Sequence, residues 1–269
     1  MDIVIHRSDD HIGQVVYDDR GERIYDTPTA VKRIKEVIQR AIAKARHYEE
    51  VTGRSIDNVH LVLGGDTVTN ENIYDHQPFN IDNTLDKQIE IAVQTYHECL
   101  LALSDEFESV HVVCQAGNHG DIRASGSSKK ANADDIAYAQ LDFCSRIDDD
   151  LDNVHFTRND STNYTNFMLR GHRAHIRHGD DCRLHIGTSS PQSDWRGWKL
   201  DHEFDIAYRG HFHEWSTEHV RDAPVLMSGS LCPVGEYEES LSVRSQPCAT
   251  IHGVTDETPM AWVEPINFS

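Results

Sequence analysis

Five short apolar runs, each closed by a small cluster of Asp, Asn or His, constrain this chain more than any other feature of its sequence. Ile3-Val4-Ile5 leads into Ser8-Asp9-Asp10-His11-Ile12-Gly13, and Val59-His60-Leu61-Val62-Leu63 into Gly64-Gly65-Asp66. Val110-His111-Val112-Val113-Cys114 leads into Gly117-Asn118-His119, and Ala174-His175-Ile176-Arg177 into His178-Gly179-Asp180. The last run, Asp205-Ile206-Ala207-Tyr208, ends in Gly210-His211-Phe212-His213. Runs of this length bounded by Gly and polar residues read as buried strands. A lone Asp-x-His pair on a loop usually binds nothing. Five ligand clusters in order, each at a strand end, read as one binuclear metal site.

Between the first three runs the periodicity changes to that of helices. Val31, Ile34, Ile38, Ala41, Ile42 and Ala45 recur at three- and four-residue steps, after Thr27 as N-cap and Pro28 at the first helical position, with Gly53 as a stop. A second amphipathic pattern runs from Thr84 through Leu85, Ile89, Ala92, Val93, Tyr96 and Leu100 to Leu103, and a third from Ala133 to Ile147. Segment 14 to 28 reads as a loop. Past Asp148 the texture becomes short strands. With no linker or composition break, the expectation is one domain over residues 1–269: an α/β, four-layer α-β-β-α sandwich of two mixed β-sheets with flanking helices.

The net charge of −20 would ordinarily repel a phosphate chain. Its make-up weakens that objection, because Asp (28) exceeds Glu (17) and Arg (18) exceeds Lys (7), a balance that looks halophilic. In multimolar salt, charge is screened within about 3 Å. An ordinary acidic enzyme is the plainer alternative. Six cysteines without CxxC spacing point to reduced thiols in a cytoplasmic protein, and no apolar stretch reaches membrane-span length.

Carboxylates, imidazoles and one carboxamide make a mixed oxygen and nitrogen ligand set, suited to Mn²⁺, Fe²⁺ or Zn²⁺ and without the thiolates of a structural zinc site. Two ions about 3.5 to 4 Å apart can activate a bridging water, clamp a phosphoryl oxygen and stabilise the leaving oxygen, which is what phosphate ester hydrolysis needs.

The ordered series Asp9-x-His11, Gly65-Asp66, Gly117-Asn118-His119, His178 and Gly210-His211-x-His213 resembles the calcineurin-like metallophosphoesterases. The opening Ser-Asp-x-His-x-Gly resembles their SbcD-type DNA-exonuclease branch. Gly117-Asn118-His119-Gly120 with its following Ser/Lys loop, and Gly229-Ser230 leading to Gly235-Glu236-Tyr237, resemble small phosphoesterases of tailed viruses. The resemblance implies that Asp9, His11 and His213 hold one ion and Asn118, His178 and His211 the other, with Mn²⁺ the first choice. Asp66 bridges, and His119 protonates the leaving group or stabilises the phosphorane. The sequence departs from the family in two places: Thr69 replaces an Asp three residues after the bridging one, and Gly120 replaces an acid after Asn-His. Asp121 is a candidate to orient His119 instead.

Several residues carry less. His60, His97, His111 and His155 read as packing or surface residues, Asp10 as solvated, and Asp180 as a candidate partner for a ligand histidine. Trp195 and Arg196, with Arg183, Trp198 and Lys199, sit in a loop that could stack bases and hold phosphate, although Trp packing over the sheet is the simpler alternative. Lys129 and Lys130 are candidates to touch substrate phosphate. The expected reaction is hydrolysis of phosphodiesters in DNA. A phosphomonoesterase or nucleotide phosphatase is the first alternative, and a scaffold that kept the fold but not the turnover is the second. The partner is a DNA or nucleotide ester; no membrane and no ATPase partner are implied, and a homodimer is compatible with the sequence.

Overall fold

Strand β1 (Asp2–Arg7) is buried along its whole length, and its alternation sorts the molecule into layers. Ile3 and Ile5 point into a core shared with three helices, while Val4 points into a second core shared with another sheet. The computed structural model describes residues 1–123, 128, 131–158, 163–183, 185–186, 189–233 and 246–269.

After β1 comes a small ribbon, β2 (Val16–Tyr17) and β3 (Arg23–Tyr25), within the segment expected to be loop. Helix α1 (Thr27–Thr52) follows. Its cap is Asp26, not Thr27: the Asp26 side chain accepts from the Thr29 N–H, which leaves Thr27 and Pro28 inside the first turn. Gly53 ends it in the left-handed conformation expected of a C-terminal stop. Then come β4 (Asn58–Leu63), α2 (Leu85–Glu106), β5 (Ser109–Cys114), α3 (Ala133–Ser145) and β6 (Val154–Arg158). The second half holds β7 (Thr165–Leu169), β8 (His172–Ile176), α4 (Ser189–His202), β9 (Ile206–Arg209), β10 (Ser216–Val220), β11 (Ala223–Met227), β12 (Cys248–Val254) and β13 (Trp262–Asn267). Helix α4 occupies the stretch expected to be an aromatic and cationic loop. Its apolar signal is short, and it is held by packing of Trp195 rather than by a long periodic face.

The strands form a six-stranded sheet in the order β13-β12-β1-β4-β5-β6 and a five-stranded sheet in the order β10-β11-β9-β8-β7. Both are mixed: β1, β4, β5 and β6 run parallel, as do β8, β9 and β11, while the β1–β12, β12–β13, β7–β8 and β10–β11 pairings are antiparallel. Helices α1, α2 and α3 cover the outer face of the first sheet through Ile34, Val37, Leu100 and Tyr138, and α4 covers the second through Trp195. Each fully buried aliphatic side chain contributes about 1.5–3 kcal/mol. The expected α-β-β-α order of layers is therefore what the chain adopts.

The layer between the sheets is not purely apolar. Cross-strand register aligns His155, His111, His60, Val4 and His252 in one row across the first sheet. The His60 and His111 rings stack with centroids 4.8 Å apart, His60 Nε2 lies 3.4 Å from Asp2, and His252 Nε2 lies 2.8 Å from the Tyr208 hydroxyl. Burial pushes His6 and His252 each down to about 3, so both are neutral in the folded protein. Among the described residues, no helix is long and apolar enough to cross a membrane.

Candidate metal centre

Parallel strands β1, β4 and β5 end at one edge of the first sheet, and β8 and β9 at one edge of the second, so their exits face a common cleft. Asp9, Asp66 and Asn118 leave the first set, and His178, His211 and His213 leave the second. Backbone bonds lace the exits together: Asp9 N–H to Gly65 O at 2.9 Å, His11 N–H to Asp66 O at 2.9 Å, and Gly210 N–H to His178 O at 2.7 Å. The two sheets are joined at the same place, where the His211 N–H donates to Asp9 Oδ2 at 2.9 Å.

Three groups of potential ligand atoms result, each with its atoms within 4.8 Å of one another: Asp9, His11 and His213; His11, Asp66 and His119; and Asp66, His178 and His211. Asn118 Oδ1 joins the last at 3.1 Å from His178 Nε2. Every residue expected from the sequence to hold an ion is thus in one cluster, and Asp66 lies in two of the three groups. The backbone is strained to achieve this. Asp9, His11, Asp66, His211 and His213 all have positive φ, between 47° and 69°, a region that side-chain-bearing residues seldom occupy. Close approach adds a further constraint at Gly65, where a Cβ would come within 2.3 Å of the Gly117 nitrogen.

The electrostatics match a cation site. Burial opposes charge on Asp9, but the hydrogen bond and positive potential of His213, with His178 behind it, hold its carboxyl below the usual range. Asp66 is likewise held well below its ordinary value, against burial, by His178 and His119. Burial and the neighbouring His119 and His213 push His11 well down. His11 Nε2 and His213 Nε2 stand 2.9 Å apart, an approach that two imidazole nitrogens tolerate only with a proton or a cation between them. His178 is pushed well above its ordinary value, against burial, by Asp66 and Asp9, so an ion that takes its Nε2 displaces a proton. Carboxylates and imidazoles on one cleft are the donor set that divalent Mn, Fe or Zn takes, and the residues present fit such ions.

Residues behind the cluster fix its orientation. His178 Nδ1 bonds the Gly64 carbonyl at 2.8 Å, which leaves Nε2 toward Asp66 at 3.0 Å. Asp180 is exposed and makes no such bond, so the partner expected for the ligand histidine is a backbone carbonyl instead. His119 Nδ1 lies 3.1 Å from the Thr69 carbonyl. The orienting role expected of Asp121 falls to that carbonyl, and the Asp121 carboxylate turns to Asn132 at 3.4 Å. Thr69 O is itself fixed by Gln77 Nε2 at 2.6 Å. At position 69 it is the main-chain carbonyl, and not the side chain, that meets the His119 ring.

Asp10 is not solvated. It is buried in an ion pair with Arg7 and accepts from the Tyr96 hydroxyl, and its carbonyl takes the Tyr25 hydroxyl at 2.6 Å. This pins the turn that carries Asp9 and His11, and only the unusual run of two acids after a buried Arg could have hinted at it. Trp195 is 0% exposed in the core under α4, where it can stack on no base. Arg196 is exposed on that helix. Lys129 and Lys130 lie outside the described residues.

No protein-family model and no curated protein matches the chain. Among solved structures, a zinc-complexed Vps29 from Entamoeba histolytica is similar at 12% identity and TM-score 0.43, with 99% of each chain covered. A structure described as a novel archaeal phosphodiesterase is similar at 13% identity and TM-score 0.46, again over 99% of each chain. A predicted phosphoesterase from Streptococcus pneumoniae is similar at 14% identity and TM-score 0.37, with 99% of this chain and 98% of that one covered. At such values these likenesses carry no weight for activity, and the chemistry below rests on the residues themselves.

Proposed function

We propose that this chain is a phosphoric ester hydrolase working with two divalent metal ions, in the manner of the calcineurin-like metallophosphoesterases. The observation that carries the reading is the shared position of Asp66, whose carboxylate belongs both to the group with His11 and His119 and to the group with His178 and His211. Asp9, His11 and His213 would hold one ion, Asn118, His178 and His211 the other, and Asp66 both. Ions bound there, Mn²⁺ first among the candidates, supply an activated water and a clamp on the phosphoryl oxygens.

The chain's own part in the reaction falls to His119. With Nδ1 turned to the Thr69 carbonyl, Nε2 is the nitrogen left to exchange a proton, and the ring stands 4.6 Å from that of His11. As the phosphorus–oxygen ester bond breaks, a proton passes from Nε2 to the departing oxygen. The donor is the imidazolium, which on giving up its Nε2 proton is left as the Nδ1–H tautomer that the Thr69 carbonyl, held by Gln77, accepts from.

A diester of the DNA type is the first substrate class, on the strength of Ser8-Asp9-x-His11-x-Gly13. A small monoester or nucleotide is the second, favoured by the burial of Trp195 and the net charge of −20. Hydrolysis of bis(4-nitrophenyl) phosphate and of 4-nitrophenyl phosphate with Mn²⁺, followed by single- and double-stranded DNA, separates them. Turnover of the bis-ester and of DNA supports the first, and turnover of the mono-ester alone supports the second. If neither ester is cut in the presence of Mn²⁺, Fe²⁺ or Zn²⁺, the enzymatic reading gives way to a scaffold.

A further inference from the structure

An acid in the first turn of a helix ordinarily serves that helix, through its unpaired N–H groups or its dipole. Asp134, in the first turn of α3, does neither. Asn132 caps the helix, with its Oδ1 accepting the Asp134 N–H at 2.9 Å. The Asp134 carboxylate, 0% exposed, reaches away from the helix and accepts four backbone N–H groups from two other loops. Oδ2 takes those of Asp66 at 2.8 Å and Gly117 at 2.9 Å. Oδ1 takes those of Thr67 at 3.1 Å and Val68 at 3.3 Å. Four donors match the acceptor sites of the two carboxylate oxygens.

The two loops so joined are the exits of β4 and β5, which carry Asp66 and the Asn118–His119 pair. Asn132 ties the second loop again, with Nδ2 donating to Gly117 O at 2.8 Å. Across the joint, the His119 N–H donates to Asp66 Oδ1 at 2.7 Å. The distance between the shared carboxylate and the residues after β5 is therefore fixed from below by one side chain that never enters the cleft. We infer that Asp134 is a positioning residue that sets Asp66 against Asn118 and His119, and so holds the two halves of the metal centre in register. The inference rests on the reading of the cluster as a two-metal site, but its structural core, the four-amide clamp, can be tested without metal.

Asp134→Asn is the probing change. A carboxamide offers one oxygen, so it can serve only one pair of amides and turns its own N–H groups against the other. Tyr138→Phe is the control: it removes the hydroxyl contact to Thr67 at 2.8 Å in the same buried region and leaves the clamp intact. In the metal-free protein, amide hydrogen exchange at Asp66, Thr67, Val68 and Gly117 is expected to be slow in the wild type and in Tyr138→Phe. In Asp134→Asn at least one pair should exchange at least 10-fold faster, while the amides of β1 stay protected. By calorimetry, Mn²⁺ affinity should fall about 10- to 100-fold in Asp134→Asn, the usual cost of losing a residue that orients ligands, and not in the control. The spin-exchange signal of a coupled Mn²⁺ pair should weaken with it.

Unchanged exchange at all four amides, or a wild-type affinity and exchange-coupled signal in Asp134→Asn, overturns the inference. So does an equal loss of affinity in Tyr138→Phe, which would mark general loosening. If the wild type binds no Mn²⁺, the two-metal reading fails while the exchange measurement still decides the clamp. Should Asp134→Asn not fold, Asn132→Ser keeps an oxygen to cap α3 but loses the ties to Gly117 and Asp121, and is expected to shift exchange at Gly117 and Mn²⁺ affinity in the same direction by a smaller factor; no shift overturns the inference.

Discussion

His6, His60 and His252 lie between the sheets on regular strands, whereas His11, His178, His211 and His213 lie just past strand ends, three of them with left-handed backbone. The first set is buried, as are His11 and His178, while His211 and His213 are half-buried. In the first set His60 and His252 share a cross-strand row, His6 lies two residues along β1 from it, Asp2 reaches His60, and burial keeps His6 and His252 neutral at about 3. The second set converges with Asp9 and Asp66 until ligand atoms lie within 4.8 Å of one another. Burial alone therefore does not make a histidine a ligand. Convergence with carboxylates, held by strained backbone, is what assembles a donor set.

The sharpest way to break this contrast is to remove the shared carboxylate. Asp66→Asn is expected to lower kcat/KM by at least about 10³-fold, about 4 kcal/mol of transition-state stabilisation, and to abolish the rise in Tm on adding Mn²⁺. His252→Gln should leave both within a few-fold of wild type. Steady-state kinetics and thermal scans with and without metal read both.

His119→Ala comes next. Loss of a proton donor typically costs 10²–10⁴-fold in kcat. Because the ring is assigned no ion, Mn²⁺ binding measured by calorimetry should persist, and loss of binding would make His119 a ligand instead.

Acid sensitivity separates the two regions differently. A histidine held neutral by burial has a folded pKa below its unfolded value near 6.5, so below that pH the unfolded chain binds more protons. Stability should be flat in this respect above about pH 6.5 and fall as the pH drops toward about 3. Each of His6 and His252 adds up to about 1.4 kcal/mol per pH unit to that slope. Urea titrations of the metal-free protein from pH 7 to 4 should show the fall, and His252→Gln should make it shallower. An unchanged slope would mean that the row between the sheets is not held neutral.

Gly65→Ala has the smallest expected effect that is still diagnostic. The new Cβ meets the Gly117 backbone at φ of +94°, so a loss of about 1–3 kcal/mol in stability is expected, together with weakened metal binding, since the strained contact joins the two ligand-bearing loops.

The sequence shows the candidate ligands because each follows a strand, and strand ends in a parallel sheet must gather at one edge. It shows three helices because their apolar periodicity is long. Helix α4 escaped notice because its packing depends on Trp195 and a few neighbours, and a stretch mixing Trp, Arg and Lys resembles a binding loop as much as a covered helix. The supports were equally hidden. Nothing local distinguishes Asp10 or Asp134 from the many other acids, since their roles arise from contacts to Arg7 and Tyr96 in one case and to main-chain amides 66 to 68 residues away in the other. A backbone carbonyl doing the work of an acid, as Thr69 does for His119, leaves no trace in side-chain identity.

The central claim is tested most directly by anomalous scattering from crystals soaked in Mn²⁺. Two peaks in the cleft, one beside Asp9, His11 and His213 and one beside Asn118, His178 and His211, with Asp66 touching both, are predicted, and no peak beside His60 and His111. A single peak elsewhere, or none at the cleft with Mn²⁺ in excess, would contradict the account.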